Sequence, residues 1–242
     1  MPPIPPHPAP GEPLPPPHGV LLIGAGGLGC ATALALAGVI RTRLTLVDPD
    51  RIALSNLHRQ ILYHRDDLDA LKVEQAARRL RHLAPALTVE TRCARLDTPE
   101  AIGALACRHA VTVDASDNFR TRFAANDAAI RQGFPLIHGA ASGFAGQLMT
   151  IDPGRSACLR CLFGAPPPVE GPTCQNEGVI GSLVGEVGWL MALETVKLLK
   201  KTGQPLWNRL LTIHALTGKR RAVPLRPDPH CPCHPQPGPV TP

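Results

Sequence analysis

The sequence has few aromatic residues, which account for 3% of its 242 positions. Proteins that bind single-stranded nucleic acid stack bases on aromatic side chains, so this scarcity argues against that class of function. The net charge is +6, but no lysine-rich block of the kind found in nucleic-acid-binding tails occurs. The positive balance therefore fits an acidic protein partner, a phosphorylated substrate or a solvated surface, and we expect no nucleic-acid partner.

Positive charge is missing from residues 1–40, which contain no lysine or arginine. Because there is no positive n-region or cleavage-type signal, secretion is not expected and a cytoplasmic protein is predicted. Residues 19–40 carry no charged side chain and are long enough to span a bilayer, but six glycines interrupt them. We interpret this stretch as a buried strand followed by a buried helix, and we expect no membrane contact.

Proline is concentrated at the two ends of the chain. Residues 1–17 contain ten prolines, which are incompatible with a helix or a central strand, so a disordered arm is predicted there. Residues 227–242 form a proline-rich tail that also contains cysteine and histidine. The stretch between them, residues 18–226, suits one large α/β domain.

Strand-like and helix-like patterns alternate within that domain. Apolar runs typical of buried parallel strands lie at 20–24, 44–48, 110–115 and 135–138, with a weaker one at 87–93. Helical periodicity fits 27–38, 70–83, 98–108, 119–132 and 182–201, and 209–225 resembles a hairpin. The alternation predicts an α/β fold with a doubly wound, mostly parallel, Rossmann-like sheet and a C-terminal β-hairpin and zinc region.

A glycine loop follows the first predicted strand. Gly24, Gly26 and Gly29 satisfy G-x-G-x-x-G at the start of a helix, where glycine lets the backbone approach a phosphate. Asp48 ends the next strand, at about the distance where an acid binds ribose hydroxyls. The combination predicts a nucleotide site, and a tight turn without a ligand is the alternative.

The segment S-N-L-H-R-Q at 55–60 indicates which class of nucleotide the site binds. Asn56 and Arg59 lie one helical turn apart and can face the same cleft. The planar fork of Arg59 and the compact charge of Lys72 suit a triphosphate, for which a hydride-transfer enzyme has no use. ATP is therefore the predicted nucleotide, and an NAD-dependent oxidoreductase is the alternative from another reaction class.

Two carboxylates follow the strand at 110–115, in the sequence D-A-S-D-N. The carboxyl ends of parallel strands are where open α/β sheets bind ligands, so Asp117 is the predicted ligand of a Mg²⁺ ion on the phosphates. The alternative is a helix N-cap, which Asp117 or Asn118 could provide for the helix that begins near Phe119.

Eight cysteines without an export signal favour reduced thiols, metal ligands or catalysis over disulfides. Two clusters, C-L-R-C and C-P-C-H, can supply four ligands to a structural zinc ion, and a redox C-x-x-C pair is the alternative. The predicted zinc ligands are Cys158, Cys161, Cys231 and either Cys233 or His234. Cys174 stands apart in a polar loop, where it is either a nucleophile or an idle thiol. The predicted packing cysteines are Cys30, Cys93 and Cys107.

The chain resembles the ThiF/MoeB/HesA family, the bacterial relatives of ubiquitin-activating enzymes, from about Gly19 to Cys233. The motifs that carry the resemblance are G-A-G-G-L-G, D-P-D, S-N-L-H-R-Q, the lysine at Lys72, D-A-S-D-N, H-G-A-A-S-G-F-A-G-Q, C-L-R-C-L-F and E-G-V-I-G-S-L-V-G-E-V-G. Together they cover nearly all of the predicted folded part.

The resemblance implies a nucleotidyltransferase that uses ATP and Mg²⁺ to adenylate the C-terminal glycine of a small ubiquitin-like sulfur carrier, of the ThiS or MoaD type. The acyl-adenylate would then become a thiocarboxylate for thiamin or molybdopterin biosynthesis, with sulfur from a donor protein. By the family's pattern the nucleotide-binding residues would be Gly24, Gly26, Gly27, Gly29, Asp48, Asp50, Asn56, Arg59, Gln60, Lys72 and Asp117. The catalytic residues would be Arg59, Lys72, Asp117 and Cys174, and the enzyme would be a homodimer.

One departure concerns the N-terminal arginine that family members use at the neighbouring subunit's ATP site. No arginine occurs in residues 1–40, so adenylation is predicted to be slow unless Arg120 or Arg122 substitutes. The same departure supports an alternative, a degenerate member that binds a carrier without activating it.

Overall fold

The computed structural model describes residues 18–167 and 178–233. The predicted arm at 1–17, Cys174 and His234 lie outside the described residues. The strands are β1 (Val20–Ile23), β2 (Arg43–Val47), β3 (Thr88–Arg92), β4 (Val111–Asp114), β5 (Leu136–Ser142), β6 (Ala145–Ile151), β7 (Arg209–His214) and β8 (Lys219–Pro224). The helices are α1 (Gly27–Ala37), α2 (Lys72–Leu83), α3 (Pro99–Ala106), α4 (Phe119–Gln132), α5 (Leu159–Phe163) and α6 (Gly181–Lys200). Within these ranges no helix has the length and hydropathy that a membrane crossing requires.

The eight strands of the described residues belong to one sheet, in the order β3-β2-β1-β4-β5-β6-β7-β8. The five strands from β3 to β5 run parallel, whereas β6, β7 and β8 continue the sheet in antiparallel pairs. Chain order reverses between the adjacent strands β1 and β4, which makes their carboxyl ends a topological switch point. The predicted doubly wound, mostly parallel fold is confirmed.

Each face of the sheet carries its own core. Val20 and Leu22 of β1 pack into the cluster that contains α1 and α6, whereas Leu21 and Ile23 pack on the other side with α3 and α4. This division follows from strand geometry, because successive side chains point to opposite faces. β1 is buried on both faces, which explains why its sequence V-L-L-I is apolar throughout.

Close contact between α1 and α6 holds the first layer together. A Cβ atom at Gly188 of α6 would lie 2.6 Å from the Cβ of Ala31, so a larger residue there would separate the helices. The hydroxyl of Thr32 donates a hydrogen bond to the carbonyl of Gly188 at 3.0 Å. The small residues of α1 therefore fix the helix whose N-terminus carries the glycine loop.

Three sequence expectations differ from the structure. β6 was not predicted, and β5 extends to Ser142, beyond the expected end at 138, because the two strands form a hairpin. Cys93 and Cys107 are exposed rather than packed, since Cys93 follows the end of β3 and Cys107 caps the end of α3. The hairpin predicted at 209–225 is confirmed as β7 and β8.

Candidate active site

A cleft with about 900 Å³ of empty volume opens at the carboxyl ends of β1, β2 and β4. It brings together most of the predicted nucleotide-binding residues, namely Gly24, Gly26, Gly27, Asp48, Asp50, Arg59, Gln60, Lys72 and Asp117. It also includes Ala94, Arg95 and Leu96 after β3, which the strand-end rule could have found.

The glycine loop has the geometry that its sequence predicts. Gly24 has a φ of +96°, and a Cβ atom there would lie 2.7 Å from the carbonyl oxygen of Ala115. Gly29 does not line the cleft, because it packs so closely on Gly24 that a Cβ atom would collide with that residue's carbonyl oxygen. Gly26 precedes α1, so the free N–H groups of that helix face the cleft.

Asp48 is fixed at the edge of the cleft by two backbone donors. Its Oδ2 accepts from the N–H of Ala25 at 2.7 Å, and its Oδ1 accepts from the N–H of Asp50 at 2.8 Å. Burial raises the pKa of the carboxyl, and the charge of Lys72 and the two N–H groups oppose that rise. Lys72 Nζ lies 2.8 Å from Asp50 Oδ2 and 4.0 Å from Asp48 Oδ1. The cluster therefore positions a buried ammonium group at the cleft wall.

The segment 55–60 forms a helical turn beside the glycine loop. The carbonyl of Asn56 accepts from the N–H groups of Arg59 and Gln60 at 3.1 and 3.0 Å, and Asn56 itself is buried and does not line the cleft. Gln60 Oε1 is buried and accepts no hydrogen bond from the described residues. Because buried polar atoms are normally paired, this amide at the cleft wall fits a site that a polar ligand or water completes.

The two aspartates at the carboxyl end of β4, Asp114 and Asp117, have different surroundings. Asp114 is fully buried and accepts from Ser116 Oγ at 2.5 Å and from His138 Nδ1 at 2.8 Å. Burial favours a raised pKa for Asp114, but the hydrogen bond and charge of His138 hold it below its usual value. Asp117 is exposed at the cleft, and it does not cap α4 because Asn118 does. Asp117 is therefore free to accept a hydrated cation.

Arg122 lies at the cleft, whereas Arg120 does not. The Nε and Nη2 atoms of Arg122 donate to the carbonyl of Ser116 at 3.3 and 3.1 Å, and its guanidinium lies 5.4 Å from the ring centre of Phe119. Arg120 is paired with Asp97 at 3.3 Å and is largely exposed. The two arginines therefore have different surroundings although they are two residues apart.

A wide groove continues from the cleft across the antiparallel half of the sheet. It has about 1580 Å³ of empty volume and shares Asp117, Arg122 and Ala141 with the cleft. Its other lining residues include Phe119, Ser142, Gln147, Phe163, Thr212, His214, Lys219 and Arg221. The continuity of the two spaces means that an extended segment lying in the groove would reach the cleft.

The predicted zinc cysteines Cys158, Cys161 and Cys231 meet beside α4. The Sγ of Cys158 lies 3.8 Å from that of Cys161 and 3.7 Å from that of Cys231. Tetrahedral thiolates bound about 2.3 Å from zinc are roughly 3.8 Å apart, so the three thiols match that geometry. Cys233 also approaches Cys158, and its Sγ lies 3.6 Å from Asp127 Oδ1.

The surroundings of these thiols favour their protonated form when no cation is bound. Contact with Cys233 and burial raise the pKa of Cys158, and burial raises the pKa of the Cys231 thiol to about 12. Without a cation the cluster is therefore protonated. Metal binding requires the thiols to lose their protons, and the bound metal then stabilises the thiolates. The described cysteines form a cluster that could hold a metal ion, with Cys158, Cys161 and Cys231 mutually within 4.8 Å.

The chain is similar to a known protein family and to several of its relatives. The family model described as "ThiF family" matches residues 18–233. A "SAMP-activating enzyme E1" of Haloferax volcanii is 42% identical over 214 residues, which cover 88% of this chain and 78% of the relative. A "Sulfur carrier protein adenylyltransferase" of Thermus thermophilus is 41% identical over 219 residues, covering 88% of this chain and 80% of the relative.

Longer relatives and solved structures are also similar. "Adenylyltransferase and sulfurtransferase MOCS3" of Anopheles gambiae is 40% identical, and the match covers 86% of this chain but 47% of that protein. The crystal structure of E. coli MccB with ATP has a TM-score of 0.79 at 20% identity, covering 90% of this chain and 67% of that chain. At that identity the structural likeness establishes the shared fold.

Proposed function

This chain belongs to the ThiF family, and we propose that it is an ATP-dependent adenylyltransferase that activates the C-terminal glycine of a ubiquitin-like sulfur carrier. The observation that carries the proposal is the junction of cleft and groove at Asp117 and Arg122. The relatives named as sulfur carrier protein adenylyltransferase and SAMP-activating enzyme support the same substrate class. Formation of a thiocarboxylate for thiamin or molybdopterin biosynthesis, in the cytoplasm, remains the prediction from the sequence.

In the proposed reaction, the carboxylate of the carrier attacks the α-phosphorus of ATP. A P–O bond to that phosphorus forms, the bond to pyrophosphate breaks, and the products are the acyl-adenylate and pyrophosphate. Such a reaction depends on positioning and charge neutralisation rather than on a protein nucleophile. The cleft offers cationic groups at Arg59 and Lys72 and helix N–H groups beside Gly26 for the phosphates.

Three further polar groups of the cleft have roles in this proposal. Asp48 binds ribose hydroxyls, since its two oxygens are held at the cleft edge and keep further acceptor capacity. Gln60 has a buried amide oxygen that a ligand or water can pair. Asp117 would hold magnesium, which neutralises phosphate charge while retaining several waters, and its exposure suits a hydrated ion.

We further propose that the groove receives the C-terminal tail of the carrier. A tail in the groove would run along β6 and β7 toward Asp117, with its carboxylate entering the cleft. A persulfide on a donor protein would then attack the acyl carbon and displace AMP, and a thiol would cleave the resulting acyl disulfide to leave the thiocarboxylate and a disulfide. The resemblance assigns a covalent link to the carrier during this transfer to Cys174, which lies outside the described residues.

The cysteine cluster is proposed as a structural zinc site. Cys158, Cys161 and Cys231 would supply three thiolates, and the proximity of Cys233 to Cys158 and Asp127 favours Cys233 as the fourth ligand. Arg160 lies beside the cluster and forms a bidentate pair with Asp127 at 2.7 and 2.8 Å. Bound zinc would fix the chain after β8 against α4 and α5.

The test is ATP–pyrophosphate exchange with Mg²⁺, with and without a carrier that ends in Gly-Gly. Carrier-dependent exchange is expected, and ATP with Mg²⁺, but not NAD, should raise the melting temperature. A carrier whose terminal glycine is deleted is the matched control and should give no exchange. ATP binding without exchange from any carrier would instead favour the degenerate, binding-only alternative.

A further inference from the structure

The edge strand β8 presents an unusual pattern of charge. It begins with Lys219, Arg220 and Arg221, and all six of its residues are exposed. Side chains alternate along a strand, so Lys219 and Arg221 share one face and Arg220 lies on the other. Lys219 and Arg221 line the groove, whereas Arg220 does not.

The two faces of β8 differ in how their charges are neutralised. Arg220 Nε lies 2.6 Å from Glu186 Oε1 of α6, so its charge has a partner within the protein. Across the described part of the chain, neither Lys219 nor Arg221 forms an ion pair with a carboxylate. The groove-facing charges are therefore unneutralised by the residues around them.

Most of the charged residues that line the groove are basic. Among the described residues Arg122, Lys219 and Arg221 are basic, and Asp117 at the cleft end is acidic. Arg122 is occupied with the Ser116 carbonyl, but Lys219 and Arg221 lie at the opposite, outer wall. A partner that enters along this wall meets positive potential before it reaches the cleft.

We propose that Lys219 and Arg221 form a docking edge for an acidic face of the carrier protein, beside its C-terminal tail. The inference rests on the proposed function and adds the chemistry by which the carrier is recognised. Two unpaired cations on the outer wall of a groove select a partner with carboxylates next to the segment that enters. Charges at the rim of an interface act mainly on the rate of association and on its salt dependence.

The test compares a double charge reversal, Lys219→Glu with Arg221→Glu, with the single reversal Arg220→Glu. Arg220 is a matched control because it lies on the same strand and faces away from the groove. Association of a labelled carrier is measured by stopped-flow fluorescence, alongside the carrier KM in ATP–pyrophosphate exchange and the Kd for ATP. A second double variant, Lys219→Gln with Arg221→Gln, covers the case in which the reversed charges impair folding.

At about 0.1 M salt the double reversal should slow carrier association roughly tenfold and raise the carrier KM, with the Kd for ATP unchanged. The difference should shrink at about 1 M salt, where the Debye length falls to about 3 Å. Association equal to that of Arg220→Glu, or a defect of the same size at both salt concentrations, would overturn the proposal. Salt-dependent carrier binding without any exchange would instead contradict the adenylation and leave the docking edge in place.

Discussion

At the residue scale, Arg122 lies where the cleft meets the groove, and its guanidinium donates hydrogen bonds to the backbone carbonyl of Ser116. Its guanidinium holds the Ser116 carbonyl immediately before Asp117, and Ser116 in turn donates to the buried Asp114. The position of Asp117 therefore depends on side chains that never touch a phosphate. Small displacements of such groups have large effects on catalysis, because the reacting atoms must be correctly oriented.

Arg122→Ala is therefore expected to lower the rate of adenylation by roughly a hundredfold, the size of effect associated with about 1 Å of misplacement. The midpoint of the Mg²⁺ dependence should also rise, since Asp117 is no longer held in place. Both quantities are measured in the exchange assay at fixed ATP. Arg120→Ala is the control, because Arg120 is paired with Asp97 outside the cleft. Equal effects of the two substitutions would contradict the role of Arg122.

Much of the candidate site could be predicted from the sequence at this scale. The glycine loop, Asp48 and Asp117 each follow a strand, and parallel strands bring their carboxyl ends to one edge. The pairing of Asp114 with His138 could not be predicted in this way, because it depends on the register of β4 against β5. Asn56 is buried and does not line the cleft, and its carbonyl organises the turn, so its contact with the nucleotide stays a prediction.

At the element scale, His109 joins the end of α3 to β2. Its Nε2 lies 2.8 Å from Thr45 Oγ1, and its Nδ1 lies 2.8 Å from the carbonyl of Leu105. Burial lowers the pKa of His109 below its ordinary value of about 6.5, because the charged form is poorly solvated there. The neutral imidazole is therefore the form that stabilises this junction.

The sign of the resulting pH dependence follows from proton uptake by the two states. Above about pH 6.5 His109 is neutral both folded and unfolded, and it makes no difference to the slope of stability against pH. Below that pH the unfolded state takes up a proton that the folded state resists, so the free energy of unfolding falls until the lowered folded pKa is reached. His109→Gln removes the titrating group, so the free energy of unfolding, measured with urea, should depend less on pH. The substitution also removes hydrogen bonds of the imidazole. The exposed His82→Gln is the control, and an unchanged slope in His109→Gln would contradict the assignment.

The zinc proposal also belongs to the element scale, because Cys231 tethers the segment after β8 to the start of α5. Cys231→Ser should lower the zinc content from about one ion per chain and reduce the melting temperature, since binding energy in such sites contributes to folding. Metal analysis and thermal unfolding measure the two effects. Cys107→Ser changes an exposed thiol elsewhere and should affect neither. Zinc retained in full by Cys231→Ser would exclude this ligand set.

The elements themselves were predictable where their patterns were strong. The strands β1 and β4 are apolar runs and α2 has a clear apolar face, so the existence of these elements follows from the sequence. β6 was missed because Ala145–Ile151 contains a glycine and a glutamine and follows a glycine-containing turn at Gly143. Its formation depends on neighbours, since β5 and β7 pair with it from both sides. Tertiary context of this kind is not visible in a local pattern.

At the scale of the whole molecule, α6 extends from the cleft, which its Val184 lines, to an exposed apolar surface. One face of α6 buries Leu183, Val187 and Met191 against the sheet. The other leaves Trp189 and Leu193, one helical turn apart, 53% and 49% exposed. Large apolar side chains exposed together on a helix are typical of protein interfaces, and the homodimer implied by the family resemblance would bury them.

Trp189→Ala is accordingly expected to weaken the dimer by about 30-fold in Kd, since a central tryptophan of an interface contributes about 2 kcal/mol or more. Sedimentation velocity over a range of protein concentrations measures the change directly. Trp207→Ala is a matched control, because Trp207 is also exposed but lies before β7, outside α6. A wild-type monomer, or equal weakening by the two substitutions, would contradict this interface. Trp189→Ala leaves the cleft residues in place. If the variant loses adenylation activity at low protein concentration and regains it at high concentration, the active unit is the dimer rather than the single chain.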